Sequence, residues 1–414
     1  QLRTVFGGGK NGEVFGKTTV SIQGGEIGAD KWEGTPYGGV YGGGEGASAI
    51  VHGHTDVTVG GGTNYNNVYG GGKQALLKGN SNVTLESGII RNRVFAGARM
   101  ADINGYGLVN IVGDNSEDAD MLIVRAVYGG NDISGSIFNR GKNKPTDLTL
   151  KVAQGLPDGL ASFVFSQNTA TNVFIGNVFG GGNGDYKYVD DPNNTGKLKI
   201  ELTEEHKDKE EEEVKITFDN LNKPEADYAY LQIEGGTFGN IYGGGNNATI
   251  LKQTDIYYGI DDAVIKPLKG IPSENLSWLK LYEGFTKDNE NNTFDLTYNA
   301  FRIFGGNNLA EMSIRPKWHL KSGTVGNIYS GGNKGKMTNP NGIILTITSP
   351  DLKAHNVYGG CRMANVEPKD ADAIAEETYT YHSYKYKVPD GENFVEKYNA
   401  TYDFKDGYAA RVLV

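Results

Sequence analysis

The sequence Asn-Val-Tyr-Gly-Gly-Gly stands at 67–72, and Asn-Ile-Tyr-Gly-Gly-Gly at 240–245. The shared core, a β-branched residue, an aromatic and then glycines, recurs at Val5-Phe6, Val40-Tyr41, Val68-Tyr69, Val94-Phe95 and Val127-Tyr128. It continues at Val178-Phe179, Ile241-Tyr242, Ile303-Phe304, Ile328-Tyr329 and Val357-Tyr358. Successive copies start 35, 28, 26, 33, 51, 63, 62, 25 and 29 residues apart. The short spacings set a unit of 25–29 residues, and the long ones read as units carrying insertions.

A second pattern follows many copies. It alternates apolar and polar residues, as in Thr19-Val20-Ser21-Ile22-Gln23, Asp56-Val57-Thr58-Val59 and Asn82-Val83-Thr84-Leu85. Leu231-Gln232-Ile233, Trp318-His319-Leu320 and Leu345-Thr346-Ile347 are its relatives. Period-two alternation predicts half-buried strands, with Val20 and Ile22 inward and Ser21 and Gln23 outward. Between the two patterns lie short segments closed by glycine: Val14-Phe15-Gly16, Val51-His52-Gly53, Leu77-Lys78-Gly79 and Ile133-Ser134-Gly135. Three short β segments per unit, repeating in one direction, predict an all-β, right-handed parallel β-helix of ten or more coils. Each coil lies ~4.8 Å above the last, giving a rod of roughly 50 Å. Equivalent residues then stack. Val or Ile is expected inside, with the aromatics as a separate ladder on the opposite face. Glycines serve corners needing positive φ. The Asn at 67, 177, 240, 327 and 356 suggests a turn ladder.

The reiterated Val-Tyr-Gly-Gly-Gly and Val-Thr-Val-Gly-Gly resemble Gly-rich, right-handed parallel β-helix surface proteins of Gram-negative bacteria, of the adhesin-like or autotransporter-passenger type. The resemblance covers roughly 1–182 and 231–365. It implies an exported protein, extracellular or on the bacterial cell surface, acting in adhesion, scaffolding or ligand display. Its partner would be a host or cell-surface protein or glycan.

Three stretches break the rhythm of a single array spanning 1–414: about 183–229, 251–300 and 366–408. The first carries the charged run 201–214, with strands expected at Lys197–Leu202 and Val214–Phe218. The second, with Trp278, Tyr282 and Phe285, is expected to hold a helix near Ser273–Tyr282 or to pack as a flap. The third has Tyr379, Tyr381, Tyr384, Tyr386, Tyr398 and Tyr402, which pack on the rod or form a sugar-stacking platform. Long insertions in repeat proteins often carry binding.

Net charge is −10, and 61 of 414 residues are glycine with only 12 prolines, against collagen and against a nucleic-acid partner. No apolar run is long enough for a transmembrane segment. The single cysteine, Cys361, permits no internal disulfide or Cys-based metal site, and reads as a buried small residue replacing a repeat glycine. The first repeat begins by Val5 and Arg411–Val414 reads as a strand, so a fragment or processed chain is expected.

The chemistry-bearing residues point to no cofactor and no catalytic set. His52, His54 and Asp56 would share an outward face and could ligate zinc, unless Gly53 turns a corner between the histidines. Gly181-Gly182-Asn183-Gly184-Asp185 falls one residue short of a calcium β-roll pattern, and acids such as Asp114, Asp118 and Asp120 are incidental candidates. Asp185 with Asp190 and Asp191, or Asp261 with Asp262, could supply paired carboxylates, but adjacent acids point to opposite strand faces. No Gly-x-Ser-x-Gly or phosphate-loop motif occurs. The balance favours a role without catalysis. The alternative is a carbohydrate-active β-helix that binds or cleaves polysaccharide.

Overall fold

The computed structural model describes residues 2–28, 38–112, 120–138, 160–165, 172–201, 219–260, 267–273, 285–340 and 342–367. It also describes strands at 378–382, 385–390, 393–398, 401–405 and 410–413. The described residues are all-β, with no α-helix. Nineteen strands join one sheet, and its strand pairings are parallel.

The β-branched positions pair in a continuous series from Val5 through Val40, Val68, Val94, Val127, Val178, Ile241, Ile303 and Ile328 to Val357. Those from Val40 to Ile328 are fully buried in the main core, so the expectation of Val or Ile inside holds. One residue on, the aromatics pair in the same register. Ten rings, Phe6 to Tyr358, stack with centroids 4.5–4.9 Å apart and planes within 13°. That separation equals the spacing of neighbouring strands, so a stacked ring fits without strain. The ring row forms its own buried cluster. These strands are thus covered on both faces, which opposite pointing alone did not require.

The alternating segments form a second column. Val20, Val57, Val83, Val109, Phe163, Leu231, Ile256 and Trp318 succeed one another in register. Val20 is buried, Ile22 half-buried, and Ser21 and Gln23 are accounted for on the outer side. Leu345 lies in strand Ile343–Thr346, which pairs in parallel with Ala410–Leu413, the strand expected near the end of the sequence. The glycine-closed segments make a third column of single bridges, Val14, Val51, Leu77, Ile103 and Ile137, continued by Ala226 and Ile250. Ile133 does not belong to it. Gly135, at φ 93°, turns the chain before the column residue, so Ile137 occupies that place and Ile133 packs against Leu221.

The asparagines also differ from expectation. Asn177, Asn240, Asn327 and Asn356 lie inside strands, not in left-handed turns. Stacked at one register position, their carboxamides bond one another: Asn240 Nδ2 donates to Asn177 Oδ1 at 2.9 Å, and Asn356 Nδ2 to Asn327 Oδ1 at 2.9 Å. The parallel ladder offers each amide an acceptor one level away, so no turn is needed.

Among the described residues, antiparallel pairing falls in the insertions. Tyr188–Asp190 pairs with Leu198–Ile200, within the strand expected at 197–202. The charged run after Glu201 and the strand expected at Val214–Phe218 lie outside the described residues. Residues 251–258 continue the second column within strand Thr249–Tyr258, so the second insertion begins later than its composition suggested. Its strands Ile271–Pro272, Phe285–Asp288 and Thr293–Leu296 form a small sheet. Leu268, Ile271 and Leu296 pack on Ile123 and Phe174, which makes this insertion a flap on the columns. The helix considered near Ser273–Tyr282, with Trp278, falls outside the described residues. In the third insertion, Thr378–His382 pairs with Thr401–Lys405, setting Tyr381 opposite Tyr402, and Lys385–Asp390 pairs with Asn393–Tyr398. Tyr384 is not described. Among the described residues no helix is long and apolar enough to cross a membrane.

Candidate functional site

The residue that follows each glycine run builds a polar column beside the ring row. The backbone amides of Glu45, Lys73, Arg99, Asp132, Asn183, Asn246, Asn308, Asn333 and Arg362 each donate to the preceding unit, at 2.9–3.1 Å. Their side chains then connect. Lys73 Nζ meets Glu45 Oε1 at 3.2 Å. Asn183 Nδ2 donates to Asp132 Oδ1 at 2.8 Å, Asn246 to Asn183 at 2.9 Å, and Asn308 to Asn246 at 2.8 Å. Asn333 donates to Asn308 at 2.7 Å, and Arg362 Nη1 to Asn333 at 3.2 Å.

Asp132 is the centre. Its carboxylate also accepts the hydroxyls of Tyr69 at 2.7 Å and Tyr186 at 2.8 Å. Only 1% of Asp132 and 1% of Arg99 is exposed, so the network is buried at its centre, while Arg362 at its end is exposed. Burial pushes the Tyr69 and Tyr186 hydroxyls well above the usual phenol range, and the Asp132 charge adds to it. Burial opposes the charge on Arg93 and Arg99, but the surrounding tyrosines and Asp132 outweigh it and hold both above the ordinary guanidinium value. The network ties the first insertion to the columns: Tyr186 reaches Asp132, and Tyr188 donates to the Ile133 carbonyl at 2.5 Å.

On the outward row of the second column Tyr257, His319, Gln232 and Glu234 are half-buried, whereas Tyr230 and Asp255 beside them are buried. Tyr257 and His319 stack at 4.0 Å and 3°, and Tyr230 lies 5.4 Å from Tyr257. Tyr230 OH donates to Gln232 Oε1 at 3.0 Å, Gln232 to Glu234 at 2.6 Å, and Gln253 to Asp255 at 2.5 Å. Burial first, then Lys317 and Lys321, hold the His319 imidazole below its usual value, favouring the neutral ring. Rings, carboxamides and carboxylates on one flank suit contact with polar ligands bearing apolar faces.

The structure distributes the other candidates. His52 Nε2 lies 2.8 Å from Glu13 Oε2, stacks on Phe15 at 4.6 Å, and receives Lys78. His54 Nδ1 accepts the Asn80 amide at 2.9 Å. Burial raises Asp56, but Lys17 and Asn82 outweigh it and lower its carboxyl. The three therefore serve separate partners. Asp185 and Asp190 are exposed, whereas Asp191 is buried and accepts Asn193 N, Asn194 Nδ2 and Asn220 N at 2.7–2.9 Å, which holds its carboxyl low. Among the described residues no group of three His, Cys, Asp or Glu could hold a metal ion. Asp114, Asp118, Asp261 and Asp262 lie outside the described residues. Cys361 is only half-buried, in the place of the third glycine of its unit, because no later unit lies over it among the described residues. The Asp132 network was not anticipated. The signal was available at the position after each glycine run, which is polar at every copy: Glu45, Lys73, Arg99 and Asp132, then Asn from 183 to 333, and Arg362.

No family model matches this chain, and neither a curated protein nor a solved structure matches it.

Proposed function

We propose that this protein is a right-handed parallel β-helix of about ten coils, exported and displayed at a cell surface, which acts as a rigid scaffold for adhesion or ligand display without catalysis. The observation that carries the reading is the ten-level register shared by the Val/Ile row and the ring stack. Rows that repeat at every level give a stiff support, because each unit is held by both neighbours. On that support the polar network and the flap contacts fix two insertions in place. The outward flank around Tyr257 and His319 supplies contact chemistry. The net charge of −10 argues for a protein or glycan partner over nucleic acid.

The test is to probe the immobilised chain against glycan and surface-protein arrays, and to assay the same polysaccharides for new reducing ends or unsaturated products. Binding without turnover is the expected result. Clean turnover would overturn the reading in favour of a polysaccharide-cleaving β-helix.

A further inference from the structure

A depression of about 370 Å³ lies where the corner of three successive units meets the flap. Gly62 and Gly88, with φ of 79° and 105°, bend the chain there and line the depression. Thr63, Ser87 and Asp120 provide the polar groups. Ser87 Oγ donates to the Gly60 carbonyl at 2.8 Å, which leaves its lone pairs free to accept. Ile89, Met121, Ile123 and Pro272 of the flap provide the apolar lining. Among the described lining residues there is one carboxylate and no Lys, Arg or His.

We propose that this groove binds a short, uncharged oligosaccharide. The inference rests on the display reading and names its ligand class. The volume falls within the range of small-ligand sites. The lone carboxylate disfavours acidic sugars and accepts hydroxyl protons. The apolar lining residues Ile89, Met121 and Pro272 suit the C–H face of a pyranose, while the Thr63 and Ser87 hydroxyls suit its oxygens. Thr63, Ile89 and Ile123 occupy one register position on consecutive levels. A sugar unit advances an extended glycan by about one strand spacing, ~4.8 Å, so neighbouring sugars can meet the levels of Thr63 and Ile89, while Ile123 lies buried against the flap.

The experiment is isothermal titration calorimetry of the full chain with 1,4-linked gluco-, xylo- and mannotetraose, and with tetragalacturonate. At least one neutral tetrasaccharide should bind saturably, and tetragalacturonate at least about tenfold more weakly. Thr63→Trp, which fills the groove, and Asp120→Ala should each weaken that binding by about tenfold or more, and Glu290→Ala, on the exposed flap turn, should not. If Thr63→Trp does not fold, Asp120→Ala and Ser87→Ala carry the test. The proposal is overturned if no neutral tetrasaccharide binds, if the groove variants bind like the parent chain, or if tetragalacturonate binds as tightly. Release of reducing ends in the same mixtures would instead sink the non-catalytic reading. Binding that ignores the groove variants would leave that reading standing while removing this site.

Discussion

At the scale of single residues, repetition hides unequal positions. Tyr69 and Tyr329 both belong to the ring stack, but only Tyr69 sends its hydroxyl to Asp132. Tyr69→Phe should cost about 1–3 kcal/mol by leaving a buried acceptor short of a donor. Tyr329→Phe, at the rim and 9% exposed, should stay within roughly 0.5 kcal/mol. Asp132→Asn turns one oxygen that accepts buried donors into a donor and should cost about 1–3 kcal/mol. Urea denaturation of the three variants gives the order. Equal losses at 69 and 329 would mean that the hydroxyl contact contributes nothing. Glycines are just as unequal. A Cβ on Gly130 would meet backbone atoms of Gly182 at 2.6 and 2.9 Å, whereas one on Gly16 would meet nothing within 4 Å. Gly130→Ala should therefore destabilise by about 1–3 kcal/mol or more, and Gly16→Ala hardly at all, in the same denaturation assay.

At the scale of the strand and its column, the sequence was legible wherever a side chain meets its own equivalent. Val94 lies on Val127 and Phe95 on Tyr128, so similarity along the chain reports contact across strands. Legibility failed where the partner is a different residue far away. Tyr186 meets Asp132 across 54 positions, and the flap residues Leu268 and Ile271 meet Phe174. Neither contact repeats, so no periodicity announces it. Ile133 misled for a related reason: its Ile-Ser-Gly looks like a column segment, but Gly135 precedes the residue that joins the column. Burial in the ring column also makes the strands pH-sensitive at Tyr128. Burial, with Asp132 adding to it and Arg93 opposing, pushes the Tyr128 phenol up to about 12, against an ordinary value of 10.0. Because the folded value lies above the unfolded one, the stability it contributes is complete below pH 10.0 and is lost as pH rises through about 12. Tyrosinate absorbance and far-ultraviolet circular dichroism should change together in that window. Tyr128→Phe should make the loss shallower. Early ionisation with the strands intact would show that the stack is open to water.

At the scale of the whole molecule, a unit held by two neighbours should outlast a unit held by one. Val94 is fully buried between Val68 and Val127, whereas Val5 is half-buried and, among the described residues, pairs in its column with Val40 alone. Among the described residues, Phe15 is 80% exposed, Leu2 57%, Met363 60% and Tyr358 42% in the first and last units, although Leu251 at 46% lies in a middle strand and Leu413 is 53% exposed. Opening should start at the outermost units and move inward, with no single all-or-none step. Amide hydrogen exchange should then be fastest at 4–6 and 352–358 and slowest around 94–128 and 174–179. Val94→Ala, with a core cost of about 2 kcal/mol or more, should speed exchange across the neighbouring levels on both sides. Val5→Ala should act on the first unit alone. Uniform protection from one end to the other, or an equal response to both substitutions, would show that the columns open as one body and that nearest-neighbour contacts do not govern their stability.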